Sequence, residues 1–206
     1  IYDAGNDLLN LINDILDLSK IEAGHMEVRL VSCVIDNLFQ SLDRSLRPLA
    51  VQKELALQFI IDADCPAALV TDPQRLEQIL KNLLSNAIKF TSHGEVVLRA
   101  KRIDDRHVAF EVRDTGIGIP REQQQIIFEA FRQADSTTNR KYGGTGLGLS
   151  ISRQLAQLLQ GRIELESEPD RGSTFTLIMP LEAESNKPLL EDLSVRSMPN
   201  WGASSY

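Results

Sequence analysis

Cysteine is nearly missing from this chain of 206 residues: Cys33 and Cys65 are the only two, far apart and in no metal-like spacing. That argues against a disulfide framework or a paired-cysteine zinc site. It fits free thiols in a reducing, cytoplasmic compartment. An excess of positive charge is missing too. Lysine and arginine number 22 against 29 acidic residues, giving a net charge of −7. This balance argues against a nucleic-acid binder that works by phosphate neutralisation. Any phosphate this chain binds is held by local geometry. No apolar run approaches the ~20 residues that span a bilayer, and no signal peptide opens the chain. There is no internal repeat and no initiator methionine, and the first residues already carry a helical pattern, as expected of a piece of something longer. The remainder is ordinary for a globular protein, 42% hydrophobic and 25% charged. The length allows one cored domain with accessory segments.

Residues 3–23 read as a helix with a wide apolar stripe. Leu8, Leu11, Ile15 and Leu18 keep heptad spacing, and Leu9, Ile12 and Leu16 widen it on one side. A stripe that wide suits a bundle core better than a two-stranded seam. So short a helix is marginal alone and must pack on a helix or a second copy. Gly24 is its stop signal. An alternating stretch, 26–32, predicts a strand or extended connector. A helix follows over 34–52, with Leu38, Leu42, Leu46 and Leu49 on one side. Strands are expected at 54–61 and 68–71. Asp72-Pro73 opens a helix running to about Phe90. A hairpin is expected over 95–103 and 107–113, a short helix near 121–127, and a long loop over 129–146. A helix over 147–160 ends at Gly161, strands at 162–168 and 173–179 follow, and the pattern dissolves near Glu182. The elements alone indicate α/β or α+β.

The central helix carries an odd polar face. Arg75, Gln78, Asn82, Asn86 and Lys89 follow one another at helical intervals and form one stripe. Asn is a poor helix former, so two of them one turn apart need a reason. They either bridge to a neighbouring loop or meet something polar and anionic, with amide oxygens for a hard cation and lysine for phosphate. Asp114-Thr115-Gly116-Ile117-Gly118 ends a strand. It is either a plain turn or a carboxylate placed to accept a hydrogen bond from an exocyclic amine. Adenine offers that amine, whereas guanine would set oxygen against oxygen. Gly143 to Leu149, GGTGLGL, runs into a helix and is either a flexible hinge or an anion site at the helix N-terminus. It is neither a P-loop nor a dinucleotide fingerprint.

These motifs come in a fixed order: the Asn-Asn-Lys helix, D-x-G-x-G, Phe128-x-x-Phe131, GGTGLGL, and Gly172-Ser-Thr-Phe175. The series resembles the ATP-binding domain of sensor histidine kinases, within the superfamily that includes DNA gyrase, the mismatch-repair ATPases and the heat-shock chaperone. The likeness spans about residues 30–181. The opening LLNLINDILDLSKIEAG looks like the second helix of these kinases' dimerisation and phosphotransfer bundle, particularly in the hybrid type.

The resemblance implies a two-layer α/β sandwich, a mixed sheet with helices on one face and a mobile ATP lid. It divides the chain into a bundle helix over 1–24, a catalytic domain over 25–181 and a linker or tail over 182–206. It implies ATP and Mg²⁺ as ligands. Asn86 would hold the metal, Lys89 phosphate oxygens, and Phe90 would pack near the nucleotide. Asp114 would read the adenine amine, with Gly116, Gly118 and Ile119 shaping the turn and Thr174 behind the base. Residues 129–146 would be the lid, carrying Phe131, Arg140, Lys141, Tyr142 and Thr145. Gly144, Gly146, Leu147 and Gly148 would meet the phosphates. Where the hydrolases of the superfamily have a water-activating Glu, four residues before the metal-binding Asn, this chain has Asn82. An amide is no general base.

Slow hydrolysis is therefore expected, with transfer to a histidine instead and Asn82 positioning the terminal phosphate. None of the three histidines, His25, His93 and His107, has the acidic neighbour typical of the family's acceptor. The acceptor is expected on another bundle helix, its own or a second protomer's. A receiver domain, a homodimeric full-length protein and a membrane-anchored bacterial sensor complete the expectation. A hydrolytic ATPase and a non-catalytic dimerisation module are the competing readings.

Overall fold

A computed structural model describes residues 23–130 and 146–183, together with residues 9, 12, 13 and 15–21 before them. Residues 15–21 are helical. The elements that follow are β1 (Val31–Val34), α1 (Ile35–Gln52), β2 (Ala56–Ile61), β3 (Ala68–Thr71), α2 (Pro73–Phe90), β4 (Glu95–Arg102) and β5 (His107–Asp114). A 3₁₀ turn (Ile126–Phe128), α3 (Gly148–Leu158), β6 (Arg162–Glu168) and β7 (Gly172–Pro180) complete them.

Five strands form one mixed sheet in the order β2-β4-β5-β7-β6, and β1 pairs with β3 in a separate two-stranded ribbon. Only β2–β4 is parallel within the large sheet, because β3 and α2 intervene and carry the chain back. Strand alternation sends Val96, Leu98, Val108, Phe110, Val112, Phe175, Leu177 and Met179 to one buried face. Leu42 and Leu46 of α1, Ile79, Leu80 and Leu83 of α2, and Ile151 and Leu155 of α3 cover that face. The other face is mostly polar, with Lys101 and Glu111 paired across it at 2.6 Å around the buried Ala109 and Ile178. Helices on one side and water on the other make a two-layer sandwich.

α2 is the middle helix, packed against α1 on one side and α3 on the other. Its start is capped by Asp72, whose carboxylate accepts from the N–H groups of Gln74 and Arg75 at 3.0 and 3.2 Å, with Pro73 beginning the first turn. At its end the Thr91 hydroxyl donates to the Ala87 carbonyl at 2.7 Å. Lys53 Nζ reaches the carbonyl oxygens of Ile88 and Lys89, both at 2.8 Å, and of Thr91 at 3.3 Å. A cation there satisfies the orphan carbonyls and opposes the negative end of the helix dipole. Leu80 and Leu84 are wholly buried on the inner face, so truncating either to Ala would cost about 2–5 kcal/mol.

Several local expectations shift. Of the two readings of 26–32, the extended connector holds over 26–30 and the strand is confined to Val31–Val34. Before it, Met26 and Val28 pack on the core and the Arg29 N–H donates to Asp72 at 3.0 Å instead of to a ladder. The helix expected near 121–127 is a run of turns ending in the 3₁₀ turn. Leu49 is exposed, because the buried line of α1 runs through Leu42, Leu46 and Ala50 and leaves Leu49 beside it. Among the described residues of the first segment Leu18 alone is buried, while Leu9, Ile12, Ile15 and Leu16 face outward. Leu8 and Leu11 lie outside the described residues. Past β7 the chain stays beside β3, with the Ala183 N–H on the Val70 carbonyl at 3.1 Å.

Candidate functional site

The polar stripe of α2 divides in two. Its first half turns to the preceding helical segment, where Gln78 Nε2 donates to Asp17 at 2.9 Å and Arg75 stands 3.8 Å from the same carboxylate. Its second half faces α3. Asn82 Nδ2 donates to Ser152 Oγ at 2.9 Å, and Asn86 Nδ2 reaches Asn82 Oδ1 at 3.5 Å. Gly148, at the start of α3, has no side chain to collide with the Asn82 amide, and a β-carbon there would overlap it. The paired amides therefore bridge two helices, and the bridge is continuous with the stripe that Lys89 completes.

Lys89 lies over the Phe90 ring, 5.0 Å from its centre, and burial lowers its pKa from the ordinary lysine value. A half-buried ammonium of this kind gains from an anionic partner, which restores the stabilisation that water no longer supplies.

Asp114 ends β5 on the inner face and is buried. Burial pushes its carboxyl pKa up, although the N–H groups of Gly116 and Ser173 both donate to it, the former at 2.8 Å. The turn that follows is fastened to α2, because the Ile117 N–H donates to the Phe90 carbonyl at 3.4 Å. A β-carbon on Gly116 would meet that carbonyl oxygen at 2.6 Å and Asp114 Oδ1 at 2.8 Å. Gly118 has φ of 64° and abuts the Glu168 carbonyl. Ile119 is half-buried, and its N–H donates to Ser167 Oγ at 2.8 Å. The D-x-G-x-G turn is thus wedged between the end of α2 and the β6–β7 turn, which fixes the Asp114 carboxylate beside the backbone of Phe90.

Beyond it, Gly146 has φ of 71°, Leu147 is fully buried, and Gly148 begins α3 without a side-chain cap. The first N–H groups of this helix are the kind of donors that meet anions. Phe131, Arg140, Lys141, Tyr142, Gly144 and Thr145 lie outside the described residues.

One expected residue is placed elsewhere. Thr174 pairs in register with Arg113 and Glu166, so all three point to the open face of the sheet. Its neighbour Ser173 takes the place beside Asp114: it is buried, its N–H serves the carboxylate, and its hydroxyl lies 3.0 Å from that of Ser167. A shift of one residue along a strand exchanges its two faces. A cavity of about 650 Å³ opens around the β6–β7 turn and reaches this site, with Asp114 and Ser173 in its lining beside Arg113, Arg121, Arg171 and Thr174. His25 and His93 are exposed, and His107 lies 3.0 Å from Asp104.

Residues 71–183 match the family described as histidine kinase-, DNA gyrase B-, and HSP90-like ATPase. The chain belongs to this ATPase family. Within it, the chain is 44% identical over 202 residues to the circadian input-output histidine kinase CikA of Synechococcus elongatus, covering 94% of this chain and 26% of that protein. It is 40% identical over 187 residues to the signal transduction histidine-protein kinase BarA of Escherichia coli K12, covering 89% of this chain and 20% of that protein. The crystal structure of full-length ShkA in complex with AMPPNP superposes with a TM-score of 0.79 at 33% identity, over 89% of this chain and 38% of that one. The chain thus spans about a quarter or less of the curated relatives it matches. This ATPase-family domain is the ATP-binding catalytic part of the histidine-kinase kind. No helix among the described residues is long and apolar enough to cross a membrane.

Proposed function

We propose that this chain binds Mg²⁺-ATP and donates its γ-phosphoryl group to a histidine on a bundle helix, for relay to a receiver aspartate. An imidazole nitrogen forms the P–N bond as the P–O bond to ADP breaks. The observation that carries the reading is Asn82. In the position of the hydrolases' general base stands an amide already engaged by Ser152 and Asn86. It cannot take a proton from water, so the phosphoryl group waits for a better nucleophile. Transfer then rests on positioning and charge neutralisation.

The donor set fits a magnesium ion. Asn86 supplies one neutral amide oxygen, and among the described residues no cluster of histidine, cysteine and carboxylate could hold a metal by itself. Mg²⁺ keeps its waters and takes substrate phosphates, so one protein oxygen is enough. When bound it neutralises charge on the phosphates. Lys89 takes phosphate oxygens, the start of α3 at Gly146 to Gly148 takes another, and Phe90 packs near the base. Asp114 accepts from the adenine amine, with Ser173 in the role first assigned to Thr174. Residues 129–146 form the lid over the nucleotide, with Phe131, Arg140, Lys141, Tyr142, Gly144 and Thr145 on it. Residues 1–24 belong to the bundle, 25–181 to the catalytic domain and 182–206 to a linker. The outward-facing Ile12, Ile15 and Leu16 support a homodimeric bundle. The reduced thiols and the ATP requirement support action on the cytoplasmic side of a sensor.

The test adds labelled ATP and the purified chain to a bundle fragment carrying an acceptor histidine. Acid-labile label on the bundle is expected, with little free phosphate from the chain alone. Brisk phosphate release without a bundle would replace this reading with a hydrolase.

A further inference from the structure

Ser152 sits on α3, 2% exposed, one turn beyond Gly148, and its Oγ is the atom on which the Asn82 amide rests. A carboxamide has an oxygen end and a nitrogen end of nearly the same shape. Which end points where is decided by the hydrogen bonds around it. Here two amides stand in series. Asn82 gives its Nδ2 to Ser152, which turns its Oδ1 toward Asn86. Asn86 then gives its own Nδ2 to that Oδ1. With its nitrogen so directed, Asn86 has its oxygen left for something else.

We infer that Ser152 is a positioning residue for the nucleotide's metal: it fixes the orientation of Asn82, and through Asn82 turns the oxygen of Asn86 toward the cation. The inference rests on the Mg²⁺-ATP reading above. A cation accepts only the oxygen end of Asn86, so the chain of amides must run in one direction, nitrogen toward the protein interior at each step. That direction ends on a group able to accept, and a serine hydroxyl buried between two helices is such a group. An alanine at this place takes away the acceptor of the Asn82 nitrogen in a part-buried site, and the bond that opposes rotation of the two amides is lost. Gly148 serves the same arrangement by leaving α3 close enough for the hydroxyl to reach. Groups that orient a metal's ligands without touching the metal commonly govern affinity as strongly as this.

The test measures binding of a non-hydrolysable ATP analogue by calorimetry, with Mg²⁺ and with EDTA, for the chain and for Ser152→Ala and Ser152→Thr. In Ser152→Ala the gain in affinity that Mg²⁺ brings should fall about tenfold, while affinity in EDTA changes by less than about twofold. Ser152→Thr keeps the acceptor and should recover most of the gain. Thermal unfolding of the variants without ligand establishes that the fold is kept. An undiminished Mg²⁺ effect in Ser152→Ala overturns the inference. So does an equal loss with and without Mg²⁺, since a mere packing contact would act on both. A wild-type chain that binds the analogue no better with Mg²⁺ would instead refute the Mg²⁺-ATP reading itself.

Discussion

The α-carbon of Gly148 faces the amide oxygen of Asn82 so closely that a β-carbon on one would overlap the other. α3 can therefore approach α2 only where glycine begins it. Gly148→Ala should push the Asn82 amide off Ser152. Alone, the substitution sets a helix-propensity gain of up to about 1 kcal/mol against an overpacking cost of about 1–3 kcal/mol. Net destabilisation is expected. In an Asn82→Ala background the obstacle is gone, and Gly148→Ala should turn neutral or stabilising. A double-mutant cycle by urea unfolding reads this change of sign; simple additivity would show that the two residues are not coupled.

Asp114 should impose opposite pH trends on stability and on binding. Burial holds its pKa above the ordinary value of 3.8. Between the unfolded and folded values the native state binds more protons than the unfolded chain. The group's contribution to stability is therefore full below the unfolded value and is lost as pH rises through the folded one. Adenine recognition needs the carboxylate as acceptor, so nucleotide affinity should rise over the same interval. Asp114→Asn should remove both trends and weaken binding roughly tenfold to a hundredfold, because one amide end must face a donor. Nucleotide titrations and urea midpoints at a series of acidic pH values check the signs.

Much of this was readable beforehand, for physical reasons. α2 announced itself through Asp72-Pro73, a seven-residue apolar face from Leu76 to Ile88, and a stripe of the wrong polar residues. The order of strands and helices followed from period alone. The residues missed are those whose role depends on a partner distant in sequence. Ser152 looks like any serine in a helix until α3 lies against Asn82. Lys53 looks like a solvated lysine until it meets the end of α2. Thr174 and Ser173 are separated only by strand parity, which the pairing of Arg113 with Thr174 decides. Met26 and Val28 alternate like a strand but are anchored singly, since the backbone just after them, at the Arg29 N–H, bonds to a side chain.

Gly118 should be intolerant of a side chain. Its φ of 64° disfavours L-residues, and a β-carbon would run into the Glu168 backbone, which cannot swing aside as a side chain can. The left-handed conformation alone costs about 1–2 kcal/mol. Gly118→Ala should lower the urea midpoint by at least that equivalent and weaken nucleotide binding, because the same turn holds Asp114 and the end of α2 together. A variant as stable as the parent would mean that the β6–β7 turn yields.

Lys53 should couple stability to the site from the far side of α2. Its ammonium serves three carbonyls at the last turn of that helix, the turn that also carries Lys89 and Phe90. Lys53→Met keeps most of the aliphatic stem and removes the charge, so the change isolates the capping contribution from packing. Charge-assisted bonds to a helix C-terminus are worth about 1–3 kcal/mol in partly buried settings, and a loss in that range is expected from denaturant unfolding. Lys89 and Phe90 depend on the closure of this turn, and the Ile117 N–H bonds to the Phe90 carbonyl. Nucleotide affinity should therefore fall too, with and without Mg²⁺ alike. That pattern separates Lys53 from Ser152. A lysine that orders the whole end of α2 affects every contact the nucleotide makes there, whereas a serine that orients one amide affects only the contact made through the cation.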